Sequence, residues 1–181
     1  MFKCEFYSNV KKTPYEIALW NLLCEINTEF VPWLSSRESS YQKNLKGDLV
    51  QVKIAPKKYF KVLSEQPLIC CIDTNKNVLI GFMSFKHLYE DVCLATCNIS
   101  NYVTTVGISK SYRGKNLTYL MYKAIMDKKL NELYLPTIST RTWSTNKAHL
   151  KILTSLEFTL TKTLKNDRGE GIDTVYYAYS K

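Results

Sequence analysis

The stretch Val106-Gly107-Ile108-Ser109-Lys110-Ser111-Tyr112-Arg113-Gly114-Lys115-Asn116-Leu117 decides how the rest of the chain is read. Its first residues end a strand-like run that begins at Tyr102. Directly after it, Leu117, Leu120, Met121, Ala124 and Ile125 recur at helical spacing. A strand that passes through a short loop straight into a helix aims unpaired backbone N–H groups and the positive end of the helix dipole at one point. That junction is a ready-made anion site, and Arg113 and Lys115 add charge to it. An ordinary strand-to-helix turn with exposed basic residues has the same local pattern, so the reading depends on what surrounds it.

Working outward, Phe2 to Ser8 suits a short edge strand, and Tyr15 to Phe30 carries Leu19, Leu22, Leu23, Ile26 and Phe30 at helical spacing. Thr13 is placed to cap that helix, with Pro14 at its first position. Val31 to Gly47 reads as a loop leading into a second short helix, and Pro56 to Glu65 as a further helical stretch. Leu68 to Ile72 and Val78 to Phe85 are strand-like and joined by an Asx-rich turn, Asp73-Thr74-Asn75-Lys76-Asn77. Beyond the stretch Leu88 to Ser100 and the central junction, strands are expected at Thr137 to Trp143, Phe158 to Lys165 and Asp173 to Tyr179. A short helix, Asn146 to Ser155, falls between the first two. There is no internal repeat or linker that would split the chain.

Length and composition agree with one globular domain. The chain has 181 residues, of which 45% are hydrophobic and 23% charged, which excludes disorder and a cysteine-stapled scaffold. No run approaches the ~18 to 20 apolar residues of a membrane span, and the first residues lack the apolar core of a secretion signal, so a cytoplasmic protein is expected. The formal net charge of +9 is spread over separated pairs such as Lys11-Lys12, Lys57-Lys58 and Lys128-Lys129. Nucleic acid is therefore not the favoured partner, because clustered charge is what phosphate backbones require.

Six cysteines, at 4, 24, 70, 71, 93 and 97, form no paired C-x-x-C knuckle, and reduced, mostly buried thiols are expected. Cys93, Cys97 and His87 are the only residues that suggest a metal, and none is expected there. Cys70 and Cys71 should point to opposite faces of one strand. The phosphate motifs G-x-x-x-x-G-K-[ST] and G-x-G-x-x-G are absent, as is G-x-S-x-G; with only His87 and His149, a Ser-His or Cys-His nucleophile has little support.

Two segments together resemble the GNAT superfamily of N-acetyltransferases. Tyr112-Arg113-Gly114-Lys115 between strand and helix is similar to that family's acetyl-CoA pyrophosphate loop, R/Q-x-x-G-x-G/A. Trp143-Ser144-Thr145-Asn146 followed by Ile152-Leu153-Thr154-Ser155-Leu156-Glu157-Phe158 is similar to its later motif, a strand-end Asn and a helix ending in L-Y-x-K-L-G-F. The element order matches across nearly the whole chain. The resemblance implies a single α/β domain over residues 1–181, with a mixed central sheet splayed at the acetyl-CoA site and helices on both faces. Departures fall at Asn116 and Thr118, where the family has small residues, and at Leu153, where it often has the Tyr that protonates the leaving thiolate.

What the resemblance implies for function is direct transfer of an acetyl group from acetyl-CoA, as cosubstrate, to a primary amine in a ternary complex. The pantetheine arm would lie between the strands Tyr102 to Ile108 and Thr137 to Trp143, near Val106 and Ile108. Arg113, Gly114, Lys115, Asn116, Leu117 and Thr118 would hold the pyrophosphate, and Asn146 belongs to the same cofactor side. Since leucine donates no proton, Ser144, Ser155, Tyr176 and Tyr177 are the candidate acids. Glu90, Asp91 and Asp173 are the candidate carboxylate bases, while Thr104 and Thr105 stand where the family places a strand carboxylate or its water-holding substitute.

The acceptor pocket would be built from Phe30, Trp33, Arg37 and Tyr41 on one side and Arg168 to Asp173 on the other. Arg141 and Trp143 would form the wall between cofactor and acceptor. Arg37 and Arg168 disfavour a highly cationic acceptor and suit one with a negative group. A non-catalytic acyl-CoA-binding module or sensor is one alternative, and a transferase acting on an RNA-bound or protein amine is another. A homodimer that completes the acceptor cleft is compatible with exposed edge strands.

Overall fold

The computed structural model describes residues 1–45, 54–94, 99–128 and 132–181. Its elements are β1 (Phe2–Tyr7), α1 (Glu16–Ile26), α2 (Lys57–Leu63), β2 (Leu68–Asp73), β3 (Val78–Tyr89), β4 (Ser100–Ile108), α3 (Leu117–Met126), β5 (Thr137–Trp143), α4 (Lys147–Ser155), β6 (Thr159–Leu164) and β7 (Thr174–Ser180). Seven strands form one sheet in the order β1-β2-β3-β4-β5-β7-β6, antiparallel except for β4 and β5.

Period-two alternation along β2 assigns the two faces of this sheet. Leu68, Cys70 and Ile72 pack with Leu19, Leu22, Leu23 and Ile26 of α1 and with Tyr59 and Leu63 of α2. Ile69 and Cys71 pack on the other face with Leu117, Met121, Tyr122 and Ile125 of α3 and with Leu153 of α4. Cys70 and Cys71 do face opposite ways, and helices cover both faces. Each fully buried Leu or Ile in these layers contributes roughly 1.5–3 kcal/mol, so both layers are sizeable.

The boundaries of α1 differ from expectation. The helix begins at Glu16 with Tyr15 as its cap, because Thr13 spends its oxygen atoms on a preceding turn: Thr13 Oγ1 donates to the Val10 carbonyl and accepts the Tyr15 N–H. At the other end the α-helix stops at Ile26, Asn27–Glu29 tighten into a 3₁₀ turn, and Phe30 is already extended. Only a 3₁₀ turn, Leu34–Ser36, stands in the expected loop Val31 to Gly47, whose last two residues lie outside the described residues. Leu88 and Tyr89 extend β3, and Val92–Leu94 form a short 3₁₀ turn. Cys97 and Lys129 also lie outside the described residues.

Two irregularities open the sheet. The parallel ladder between β4 and β5 has only the pairs Asn101–Ile138, Tyr102–Ser139 and Val103–Thr140, after which the strands part. At that point Ser84 of β3 pairs with Thr105 and Phe85 with Val103, so Thr104 is an extra residue in β4. A bulge of this kind bends its strand and increases the local twist. Gly107 then allows α1 to approach β4 closely: a Cβ there would lie 2.4 Å from Ile26 Cδ1 and 2.8 Å from Phe82 Cε1.

Candidate functional site

The gap between β4 and β5 opens into a cleft of about 910 Å³. Val103 to Ile108 form one wall, Thr140 to Trp143 the other, the loop from Tyr112 to Tyr119 one end, and α4 residues Ala148, His149, Lys151, Ile152 and Ser155 a flank. Ile26, at the end of α1, and Glu29 and Phe30, just beyond it, close it from the opposite face of the sheet. The sequence-predicted cofactor residues Val106, Ile108, Arg113, Gly114, Lys115, Asn116, Leu117, Thr118 and Asn146 are therefore brought together here.

The loop after β4 has the geometry of an anion site. Gly114 has φ +74° with open space where a Cβ would project, and Asn116 sits at φ 60°, ψ 21° as the N-cap of α3. Asn tolerates that left-handed conformation better than most residues, which explains its presence at a position suited to glycine. Asn116 makes no side-chain cap, and among the described residues no N–H from Gly114 to Tyr119 has a hydrogen-bond partner. These free donors at a helix start and the helix dipole favour a phosphate.

Arg113 does more than add charge. Its Nη2 donates to Glu29 Oε2 at 2.6 Å, and both Nε and Nη2 reach the Ile108 carbonyl at 3.3 Å. Glu25 Oε1 accepts the Lys110 N–H at 2.7 Å. The end of α1 and the 3₁₀ turn that follows it thus clamp the loop through two carboxylates that sequence spacing did not single out. Among the described residues, Glu29 is the one carboxylate that lines the cleft. Lys115 stays close to the loop, its ammonium 4.8 Å from the centre of the Tyr112 ring.

On the opposite wall Asn146 caps α4. Its Oδ1 accepts the His149 N–H at 3.3 Å, and its Nδ2 donates to Thr142 Oγ1 at 3.1 Å. The His149 Nε2 lies 2.8 Å from the Tyr122 hydroxyl, and burial pushes the imidazole down to about 4, so it is neutral at pH 7. Leu153, one turn further on the same helix face, is fully buried in the core and is not part of the cleft wall. The Tyr122–His149 pair was not legible from spacing, because its members lie 27 residues apart.

The other expected site residues divide clearly. Arg141 and Trp143 line the cleft, and Trp143 packs against Phe30 with ring centres 5.8 Å apart. Ser144 does not line it: its Oγ accepts the Asp173 N–H at 3.0 Å, closing the end of the β5–β7 ladder. Asp173 is taken up by Lys165 at 3.0 Å and the Asn166 N–H at 2.9 Å, in the turn between β6 and β7. Glu90 is exposed beyond the end of β3, outside the cleft. Tyr176 is buried behind Arg141, whose Nη1 donates to its hydroxyl at 3.3 Å. Trp33 stands beside the 3₁₀ turn at Leu34 and is likewise not a lining residue, and Arg37 is buried next to Phe30.

No protein-family model matches the sequence, and no curated protein matches it either. Solved structures do match in fold. A protein of Acinetobacter baylyi ADP1 assigned as an acetyltransferase superposes with a TM-score of 0.64 at 16% identity, covering 100% of this chain and 94% of its own. The ribosomal-protein-S5-alanine acetyltransferase of Vibrio fischeri gives 0.64 at 13% identity over 99% and 92% of the two chains. The Salmonella typhimurium protein yncA, also assigned as an acetyltransferase and solved with its cofactor acetyl-CoA, gives 0.62 at 12% identity over 99% and 94%. The architecture is the GNAT fold.

Proposed function

We propose that this GNAT-fold chain is an acetyl-CoA-dependent N-acetyltransferase acting on a primary amine. The observation that carries the reading is the conjunction of a bulged, splayed β4–β5 gap with a loop whose free N–H groups end that same cleft. A cleft with a phosphate cradle at one end and open strand edges along its length fits a long phosphorylated thioester. The named activities of the fold neighbours point the same way.

In this reading the amides from Gly114 to Tyr119 hold the diphosphate, and the edge of β4 from Thr104 to Ile108, which β5 leaves free, pairs with the pantetheine arm. Acetyl-CoA supplies the activated acetyl group. The neutral amine nitrogen forms a bond to the acetyl carbon as the carbon–sulfur bond breaks, and the proton lost by nitrogen is balanced by one gained at sulfur. No lining carboxylate stands at the point where the strands part, among the described residues, and the Thr104 and Thr105 hydroxyls there are already bonded, to Gln66 and Ser84 and to Tyr59 respectively. Hydroxyls engaged in this way are weak bases, so the amine's own ionisation controls the rate. The Tyr122–His149 pair, in place of the Tyr missing at Leu153, is the hydrogen-bonded group nearest in role to a proton donor at sulfur.

Isothermal titration with acetyl-CoA, followed by thiol release with a panel of amines, tests the proposal. Micromolar binding and amine-dependent release are expected, with kcat/KM rising with pH towards the amine pKa. Binding without release from any amine or peptide would replace the transferase with an acyl-CoA sensor, and absence of binding would overturn the reading of the loop.

A further inference from the structure

The acceptor side of the cleft holds an unusual set of charges. Arg37 and Arg168 are 6% and 5% exposed, and Arg141 is half-buried between them and the cleft. Among the described residues, none of the three makes an ion pair. Their hydrogen bonds go to neutral acceptors. Arg37 Nε donates to the Pro32 carbonyl at 3.0 Å, Arg168 Nη1 to the Val31 carbonyl at 2.6 Å, and Arg141 to the Gln42 and Lys43 carbonyls. Asp167 is linked to Arg168 through the Thr174 hydroxyl, which accepts from Arg168 Nε and donates to Asp167 Oδ2.

One donor is left over: Arg37 Nη2 is buried and has no hydrogen-bond partner. Burial together with the neighbouring Arg37 and Arg141 pushes the Arg168 guanidinium down to about 9, and burial and Arg141 push Arg37 down as well, whereas against its burial Tyr102 and Tyr176 hold Arg141 charged. Uncompensated buried cations are costly, and proteins ordinarily pair them. This cluster joins the cleft. Arg141 lines it, the Arg37 guanidinium sits 5.5 Å from the Phe30 ring centre and that of Arg168 5.5 Å from Trp143, and both rings are cleft walls. A second link runs from Thr105, in the wall, to the Tyr59 hydroxyl beside Arg37.

The geometry points to an acceptor that brings the missing counter-ion: a small molecule carrying its primary amine and an oxyanion, either a carboxylate or a phosphonate or phosphinate, held by Arg141 and Arg37 with Arg168 behind them. Guanidinium forks match such oxyanions bidentately. This rests on the transferase reading and names the substrate class of that same site. A polycationic amine is excluded by the same charges.

The test compares L-amino acids, the same amino acids as carboxamides, and 1-aminoalkylphosphonates, using thiol release from acetyl-CoA and the melting temperature of CoA-saturated protein. At least a tenfold preference in kcat/KM for one acid class over the amides is expected, and carboxylate against phosphonate identifies the oxyanion. Arg141→Gln should raise the acceptor KM at least tenfold while leaving acetyl-CoA affinity unchanged. Arg37→Met should raise the melting temperature of the free protein, by removing an unpaired buried charge, and abolish stabilisation by the acids. Amides that match the acids, or acids that neither react nor stabilise, overturn the inference. If CoA fails to bind but the acids still stabilise wild type and not Arg37→Met, the transferase reading fails and the oxyanion site stands.

Discussion

The Arg113 guanidinium lies 2.6 Å from Glu29 Oε2, so the residue expected to attract phosphate is already paired with a carboxylate from the 3₁₀ turn that follows α1. Both side chains are partly exposed, at 45% and 34%, and a pair of that kind couples by about 0.2–1 kcal/mol. The pair fixes the loop and also offsets its charge. Glu29→Gln should therefore tighten acetyl-CoA binding several-fold, and Arg113→Glu should weaken it by at least tenfold. Titration calorimetry of both variants and the double variant checks this; unchanged affinity in Arg113→Glu would remove the anion role of the loop.

Asn116 adopts a left-handed conformation at the start of α3. Alanine there costs roughly 1–2 kcal/mol of steric strain, which for a chain of this length lowers the melting temperature by about 2–8 °C. Glycine takes the same backbone angles freely. Asn116→Gly should keep the wild-type melting temperature and bind acetyl-CoA at least as tightly. Equal melting temperatures for the alanine and glycine variants would show that the backbone angle is not what selects Asn.

These local rules explain how much the sequence discloses. The strand–loop–helix at Val106 to Leu117 and the Asn146 cap are contiguous patterns set by backbone geometry, so both are readable, as is the alternation that separates Cys70 from Cys71. The Thr104 bulge is a mismatch between two strands, and nothing in the β4 sequence alone marks it. Likewise Glu29 meets Arg113 across 84 residues, and Arg37, Arg141 and Arg168 converge from three elements. The composition hints at the arginines, but only packing leaves them without carboxylates. Ser144 and Asp173 lie outside the cleft lining for the complementary reason: hydrogen-bonding residues near strand ends are as readily used to finish ladders and turns.

His149 gives a pH prediction. Its imidazole is held near 4, below the ordinary 6.5, because burial against Tyr122 disfavours the cation. Between those values the unfolded chain binds a proton that the folded chain does not, so stability rises with pH. The contribution is full above about 6.5 and is lost as pH falls towards 4, with a slope of at most ~1.4 kcal/mol per pH unit. Urea unfolding from pH 7 to 4 should show this slope in wild type and a shallower one in His149→Gln. Identical slopes would place the acid sensitivity elsewhere.

Restoring tyrosine at Leu153 is the obvious attempt to supply an acid, and the structure argues against it. Leu153 is fully buried in the layer that includes Met121, Tyr122 and Ile138. A larger ring there overpacks a filled site, at about 1–3 kcal/mol, and a hydroxyl buried without a partner adds roughly 1–3 kcal/mol more. Leu153→Tyr should therefore lower the melting temperature markedly and leave turnover no higher, while Leu153→Met, which conserves volume, stays within about 1.5 kcal/mol of wild type. His149→Ala provides the contrast, because His149 lines the cleft and Leu153 does not. It should reduce kcat more than it changes the acetyl-CoA dissociation constant. A Leu153→Tyr protein that melts normally and turns over faster would mean that this position opens to the thioester after all, and that Tyr122 and His149 do not serve the sulfur.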